Sequence, residues 1–269
     1  MVRVVCPAKL NLFLNVSPPL SSGYHAIVSE FQAISLIDTI DLSLSDGPRT
    51  LITSNWDDLP TENTLTKVLG RMHELIDVPP LRVHLEKRIP SEAGLGGGSS
   101  NAAGMIRGLL ALLRTELPWG QEHAVAASIG ADVPFFLIGG RAHVSGTGTE
   151  IEALPDGTPR HFVVIKPPVG MSTPHAYRQL DDQRGDFQWE PQNAGNDFEL
   201  VAPAPCHAAI SALQQAGAKL AQLTGSGSAV FGEFDTATDS EAAARRVTDH
   251  GQVFVTRSLS RVESLATVQ

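Results

Sequence analysis

Cysteine is nearly absent from this chain. Its 269 residues include two, Cys6 and Cys206. That is too few for a disulfide framework, so a hydrophobic core has to carry the fold, and both thiols read as small buried groups of a reducing compartment. Basic residues are also in short supply. The 20 Lys and Arg stand against 29 Asp and Glu, leaving a net charge of −9. A general nucleic-acid binder needs a surplus of cations, so no nucleic-acid partner is expected. No apolar stretch nears the roughly 20 residues of a membrane span, and the richest, 105–113, carries Arg107. The opening residues lack the charged start, apolar run and cleavage site of a signal peptide, and a cytoplasmic protein without a membrane partner is expected. There is no internal repeat and no low-complexity tract. His-Glu-x-x-His and paired-Cys motifs are missing as well, so no zinc site is expected despite nine histidines, and no protein metal ligand is assigned.

What is present is ample core material, 42% hydrophobic residues with 18% charged, in a chain long enough for about two domains. The turn-rich run Leu154-Pro-Asp-Gly-Thr-Pro-Arg160 divides it, placing the domains at 1–155 and 156–269. In the first part, 2–6 reads as a strand and 10–16 as a second extended segment, with Leu10, Leu12 and Leu14 alternating with Asn11, Phe13 and Asn15. A strand is expected within 31–44, a helix over 61–75, a strand over 81–89 and a helix over 100–113. In the second part, strands are expected at 161–166 and 253–259, a strand pair around a small-residue turn over 220–234, and helices within 198–218 and over 240–250. The polar stretch 181–196 reads as a loop. The class is α+β.

The most informative segment is Pro90-Ser-Glu-Ala-Gly-Leu-Gly-Gly-Gly-Ser-Ser100, set between a strand and a helix. Glycines there admit a ligand close to the backbone, and successive amides with a helix N-terminus make an anion site. Ser99, Ser100 and Asn101 are good N-cap types that would add donors. A bound polyphosphate is the expectation. The loop is neither a P-loop, which ends in Gly-Lys-Ser/Thr, nor a Gly-x-Gly-x-x-Gly dinucleotide fingerprint.

The loop resembles the second motif of the GHMP superfamily of small-molecule kinases. Pro7-Ala-Lys-Leu-Asn11 resembles the first motif, and Leu223-Thr-Gly-Ser-Gly-Ser-Ala-Val-Phe-Gly232 the third. Pro7-Ala-Lys-Leu-Asn-Leu-Phe-Leu14, Ser22-Gly-Tyr-His25 and Gly130-Ala-Asp-Val-Pro-Phe135 are similar to the branch acting on a cytidine diphosphate-linked methylerythritol. The resemblance implies a ribosomal-protein-S5-like N-terminal domain, a ferredoxin-like C-terminal domain and an active site between them. It implies ATP as co-substrate with Mg²⁺, and transfer of the γ-phosphoryl group to the 2-hydroxyl of that acceptor. The implied roles are catalytic for Lys9 and Asp132, and ATP-binding for Pro90, Ser91, Glu92, Ala93, Gly94, Leu95, Gly96, Gly97, Gly98, Ser99 and Ser100 with Gly225, Ser226 and Gly227. For the acceptor they fall on Asn11, Tyr24, His25, Phe31, Thr173 and Tyr177, with the cytosine stacked between the two tyrosines. Chemically, a carboxylate suits the base of phosphoryl transfer, and a neighbouring lysine keeps it ionised. Asn11 either meets the acceptor or holds Lys9. Glu92 is awkward beside phosphates unless it turns outward or assists a metal. A monomer or weak homodimer is expected. The alternatives are a kinase of the homoserine or mevalonate type and a nonenzymatic RNA-binding protein.

Overall fold

The computed structural model describes residues 1–269 apart from Asp58, Trp119, Asp186 and Gln269. Asp186 falls in the expected 181–196 loop and Gln269 in the expected second domain, so both expectations extend beyond the described residues. Two antiparallel strands open the chain, β1 (Val2–Pro19) and β2 (His25–Leu44). They are 18 and 20 residues long, far beyond the usual strand. β3 (Leu51–Ser54) lies parallel to β4 (Leu81–Glu86), which pairs with the later half of β2. β5 (Arg141–Ser145) pairs with the earlier half, and β6 (Glu150–Leu154) pairs with β5. Four helices belong to this part: α1 (Thr64–His73), α2 (Gly97–Leu113), α3 (Gln121–Ile129) and α4 (Val133–Ile138).

A second, antiparallel sheet is built from β7 (His161–Lys166), β8 (Leu220–Leu223), β9 (Val230–Phe234) and β10 (Gln252–Arg257), in the order β10-β7-β9-β8. Its helices are α5 (Thr173–Arg184), α6 (Ala204–Gln215) and α7 (Ala237–Ala244). The chain then returns through α8 (Arg261–Ser264) to β11 (Thr267–Val268), which pairs with β1 in the first sheet. The layout is the α+β arrangement expected, and the turn between β6 and β7 falls at 155–160.

Two irregularities in the β1–β2 pairing decide where side chains point. Register shifts fall between Pro7 and Ala8 and between Asn11 and Phe13. A bulge turns the following side chains to the opposite face. Val4, Cys6, Leu14 and Val16 therefore join the helix-covered core, whereas Ala8, Leu10 and Leu12, of the same parity, pack on Phe162, Val164 and Phe231 of the second sheet. Phe162 and Phe231 meet edge to face there, with centroids 5.8 Å apart. Residues 10–16 are buried on both faces: Leu10 and Leu12 pack on the second sheet, and on the alternate face Asn11 is enclosed by bonds to Ser29 and Thr224 and Asn15 by bonds to Gln192, Asn193 and Ala194. Between the bulges the odd residues Lys9 and Asn11 take the helix-side face.

Several bounds differ from expectation. The segments 2–6 and 10–16 are one strand, bent by a bulge instead of broken. Helix α2 starts at Gly97, so Ser99, Ser100 and Asn101 are inside its first turns and not N-caps. Helix α5 continues to Arg184, four residues into the expected loop.

Candidate active site

The glycine loop hangs between the two sheets. Lys9 N donates to Leu95 O at 3.0 Å on one side, and Ala229 N to Ala93 O at 3.1 Å on the other. Gly94 and Gly96 both sit at φ +71°, where an L side chain is strained. A Cβ on Gly94 would run into the Thr224 carbonyl, and one on Gly96 would come within 2.8 Å of the Phe136 ring. Gly96 is also the N-cap of α2, and no side chain caps that terminus. The first amides of the helix are thus left for a ligand, with the positive end of the helix dipole behind them.

These groups border a cavity of about 430 Å³, lined by Lys9, Asn11, Phe31, Asp132, Thr173, Tyr177, the loop 90–99, Gly225 and Ser226. Ser100 and Gly227 do not line it. Among the described residues Ser100 Oγ is buried without a hydrogen-bond partner. Gly227 closes the tight turn after β8, donating to Thr224 O at 3.0 Å.

Lys9 is the electrostatic centre of the cavity. Its side chain is 4% exposed, its Nζ lies 3.8 Å from Asp132 Oδ2, and it rests 4.8 Å over the Phe31 ring. Burial lowers its pKa, and the Asp132 carboxylate opposes that shift. One Nζ hydrogen goes to Asn11 Oδ1 at 2.5 Å. Asn11 is itself committed: Nδ2 donates to Ser29 Oγ at 2.9 Å, and its backbone N donates to Thr224 Oγ1 at 2.9 Å. The geometry therefore favours Asn11 as the holder of Lys9. Asp132 occupies the N-cap position of α4, yet its carboxylate makes no capping bond and remains one-third exposed toward the cavity.

Thr173 is the first residue of α5, after the N-cap Ser172, and its Oγ1 lies 2.8 Å from Ser226 Oγ. This bond ties α5 to the third glycine motif. Glu92, at φ +52°, lays its side chain against Gly170, and its carbonyl accepts from Ser228 N at 3.4 Å.

At the other end of the cavity Tyr177 lies edge to face with Phe198, centroids 4.8 Å apart. Burial, with Asp132 and Asp181 nearby, pushes its phenol up to about 12, so the hydroxyl keeps its proton. His25 lies over Tyr177, and its Nε2 is 2.9 Å from Asp181 Oδ1. His25 sits behind Tyr177 and does not itself line the cavity, and Tyr24 stands apart, 69% exposed in the turn between β1 and β2, outside the lining as well. The two tyrosines are not face to face here.

Several contributors escaped the sequence reading. Lys87, Thr64, Leu14, Ile27 and Phe198 all border the cavity. Asp38 lies behind it, its side chain fully buried, accepting from Lys87 Nζ at 2.5 Å, Arg88 N at 2.6 Å, Ile89 N at 2.8 Å and Asn101 Nδ2 at 2.9 Å. It anchors the approach to the glycine loop. An aspartate between the apolar Ile37 and Ile40 of β2 was the available signal. A second cleft of about 700 Å³ adjoins at Lys87, Pro90 and Ser91 and is flanked by Trp56.

An uncapped helix terminus under a glycine loop, beside a buried lysine and a free carboxylate, defines a small-molecule phosphotransferase. The family model for the GHMP kinase N-terminal domain matches residues 63–140, and that for the GHMP kinase C-terminal domain matches 205–253. The 4-diphosphocytidyl-2-C-methyl-D-erythritol kinase of Polaromonas naphthalenivorans is 37% identical over 89% of this chain and 88% of its own. That of Chlorobium phaeobacteroides is 35% identical over 95% and 96%. A crystal structure of 4-(cytidine 5'-diphospho)-2C-methyl-D-erythritol kinase superposes with a TM-score of 0.83, at 28% identity over 96% of this chain and 99% of its own. The chain belongs to the 4-diphosphocytidyl-2-C-methyl-D-erythritol kinase family of GHMP kinases. Among the described residues no helix is long and apolar enough to cross a membrane.

Proposed function

We propose that this chain transfers the γ-phosphoryl group of ATP to the 2-hydroxyl of 4-diphosphocytidyl-2-C-methyl-D-erythritol. The observation that carries this reading is the Lys9–Asp132 pair, 3.8 Å apart beside the open N-terminus of α2. The α2 amides and the glycine loop hold the phosphates, and the acceptor hydroxyl comes in beside Asp132. Asp132 accepts the hydroxyl proton as the oxygen bonds to the γ-phosphorus and the bond to ADP breaks. Lys9 neutralises charge on the transferring group from a site screened from water. The loop from Pro90 to Ser99 with Gly225 and Ser226 forms the nucleotide side, while Thr173, Phe31, Tyr24, His25 and Tyr177 form the acceptor side.

Mg²⁺ accompanies the nucleotide in this reading. Among the described residues no three His, Cys, Asp or Glu groups cluster to cage an ion. Bound with ATP, the ion would supply charge neutralisation on the phosphates, and Glu92 and Asp132 are the cavity-lining carboxylates that would hold it or its waters. A coupled ADP-release assay tests the proposal with four acceptors: the full cytidyl compound, the compound lacking its cytidine, homoserine and mevalonate. Release with the full compound alone supports it. Release with homoserine or mevalonate would retain the phosphate chemistry and overturn the acceptor.

A further inference from the structure

One contact at the acceptor end has no part in phosphoryl transfer. His25, the first residue of β2, and Asp181, on α5, are far apart in sequence, yet Nε2 and Oδ1 lie 2.9 Å apart. The same imidazole lies on Tyr177, with centroids 4.7 Å apart and an interplanar angle of 33°. Tyr177 and Asp181 are four residues apart on one helix face, so α5 grips the ring by its face and by its edge. The His25 side chain is 8% exposed and that of Asp181 33%. Arg184, one turn further along, is committed to Asp197 at 2.8 Å and does not compete for Asp181.

We propose that Asp181 is a positioning residue that makes His25 read cytosine rather than uracil, an inference that rests on the cytidyl-acceptor reading above. An ionised carboxylate only accepts, so His25 Nε2 carries the hydrogen. In the neutral ring this leaves Nδ1 as a bare acceptor, and among the described residues Nδ1 has no hydrogen-bond partner. Cytosine presents an amino hydrogen to such an acceptor. Uracil carries a carbonyl oxygen at that position, and two lone pairs would face each other, leaving an acceptor unpaired. Asp181 touches no substrate in this arrangement and acts only by fixing which nitrogen of His25 is bare.

The test pairs Asp181→Asn with Asp181→Glu. An asparagine side chain can donate to Nε2 as well as accept from it, so the ring hydrogen is no longer held on Nε2 and Nδ1 becomes a donor in part of the population. The ratio of kcat/KM for the cytidine substrate over its uridine analogue is expected to fall about ten-fold or more, the scale of one hydrogen bond to a polar partner. The KM for ATP and kcat on the cytidyl compound stay within about two-fold, and Asp181→Glu restores the ratio. Nitrogen-15 NMR of the substrate-free protein supplies a second readout. The wild type should show a protonated Nε2 and a bare Nδ1, and Asp181→Asn a mixture of the two tautomers with Nδ1 protonated in part. An unchanged ratio in Asp181→Asn, or a wild-type ring protonated at Nδ1 alone, overturns the inference and leaves the kinase reading intact. A wild-type protein that releases no ADP with the cytidyl acceptor overturns both.

Discussion

At the glycine-loop end of the cleft the working groups are held by backbone and burial, whereas at the His25 end they are held by single side-chain bonds. The loop is bonded to β1 through Leu95 and to the second sheet through Ala93, and Asp38 behind it gathers four donors at a fully buried carboxylate. At the other end, Tyr24 stands in solvent on a turn, and His25 is tied by one bond to an aspartate that is itself one-third exposed. On the proposed function the contrast follows from the two tasks. Stabilising charge on a transferring phosphoryl group requires donors that do not reorganise during reaction. Admitting and recognising a flat base requires side chains that can part and close, and those come from the less firmly held parts of a fold.

The largest expected effect lies at the rigid end. Asp132→Asn should lower kcat by about 10²- to 10⁴-fold, the usual share of a positioned base, with both KM values within a few-fold. Steady-state kinetics checks it, and a loss under ten-fold would remove Asp132 from the base role.

Gly94→Ala comes next. It forces an L side chain into the left-handed region at a cost of about 1–2 kcal/mol and drives a Cβ into the Thr224 carbonyl. The KM for ATP should rise at least about ten-fold with little change in that for the acceptor, since 1.4 kcal/mol is one such factor. Equal rises in both would mean that the two ends are not separable.

At the adjustable end, Tyr24→Ala should raise the KM of the cytidyl acceptor about ten-fold, because stacking on a base is worth about 1–3 kcal/mol. The melting temperature and the KM for ATP should not move, given how little Tyr24 packs. A fall in melting temperature would show a structural role instead.

The smallest effect is a control remote from both ends. Glu263 holds the start of α8 through Arg257 at 2.7 Å and the backbone and hydroxyl of Ser260 at 2.9 and 2.8 Å, which pull its pKa down to about 2. A depressed carboxylate stabilises above its unfolded value of 4.5 and loses that contribution as pH falls toward 2. Because the side chain is 44% exposed, the contribution is well screened. Thermal melts of Glu263→Gln should show a small deficit at pH 7 that vanishes near pH 2, with neither KM altered.

Much of this organisation was legible in the residues. A glycine run between an alternating strand and an apolar helix implies an anion site whatever the fold, and the turn residues around 154–160 imply a change of layer. The α2 boundary was not legible. Three successive glycines score as poor helix, but the packing of the loop between two sheets fixes the chain so that the helix begins at Gly97. That placement turned Ser100 inward and left the amides uncapped. Asp38 and Lys87 were not legible as site residues either, since their meeting depends on β2 pairing with β4.

By itself the sequence determined the class of chemistry, because local residue types set what a loop can bind and which side chains can carry charge. The motifs singled out Lys9, Asp132, the glycines and two tyrosines, of which Tyr24 lies outside the cavity. Only the tertiary structure decided how they face one another. Side-chain direction along a strand depends on register: the shift after Pro7 turned Lys9 and Asn11 toward the helices and the cavity, and the shift after Asn11 returned Leu14 and Val16 to the core. The same holds for His25, whose partner Asp181 is reached only through packing of α5 against the β1–β2 turn. Long-range hydrogen bonds and register follow from how the layers close on each other, and no local pattern of residues specifies them.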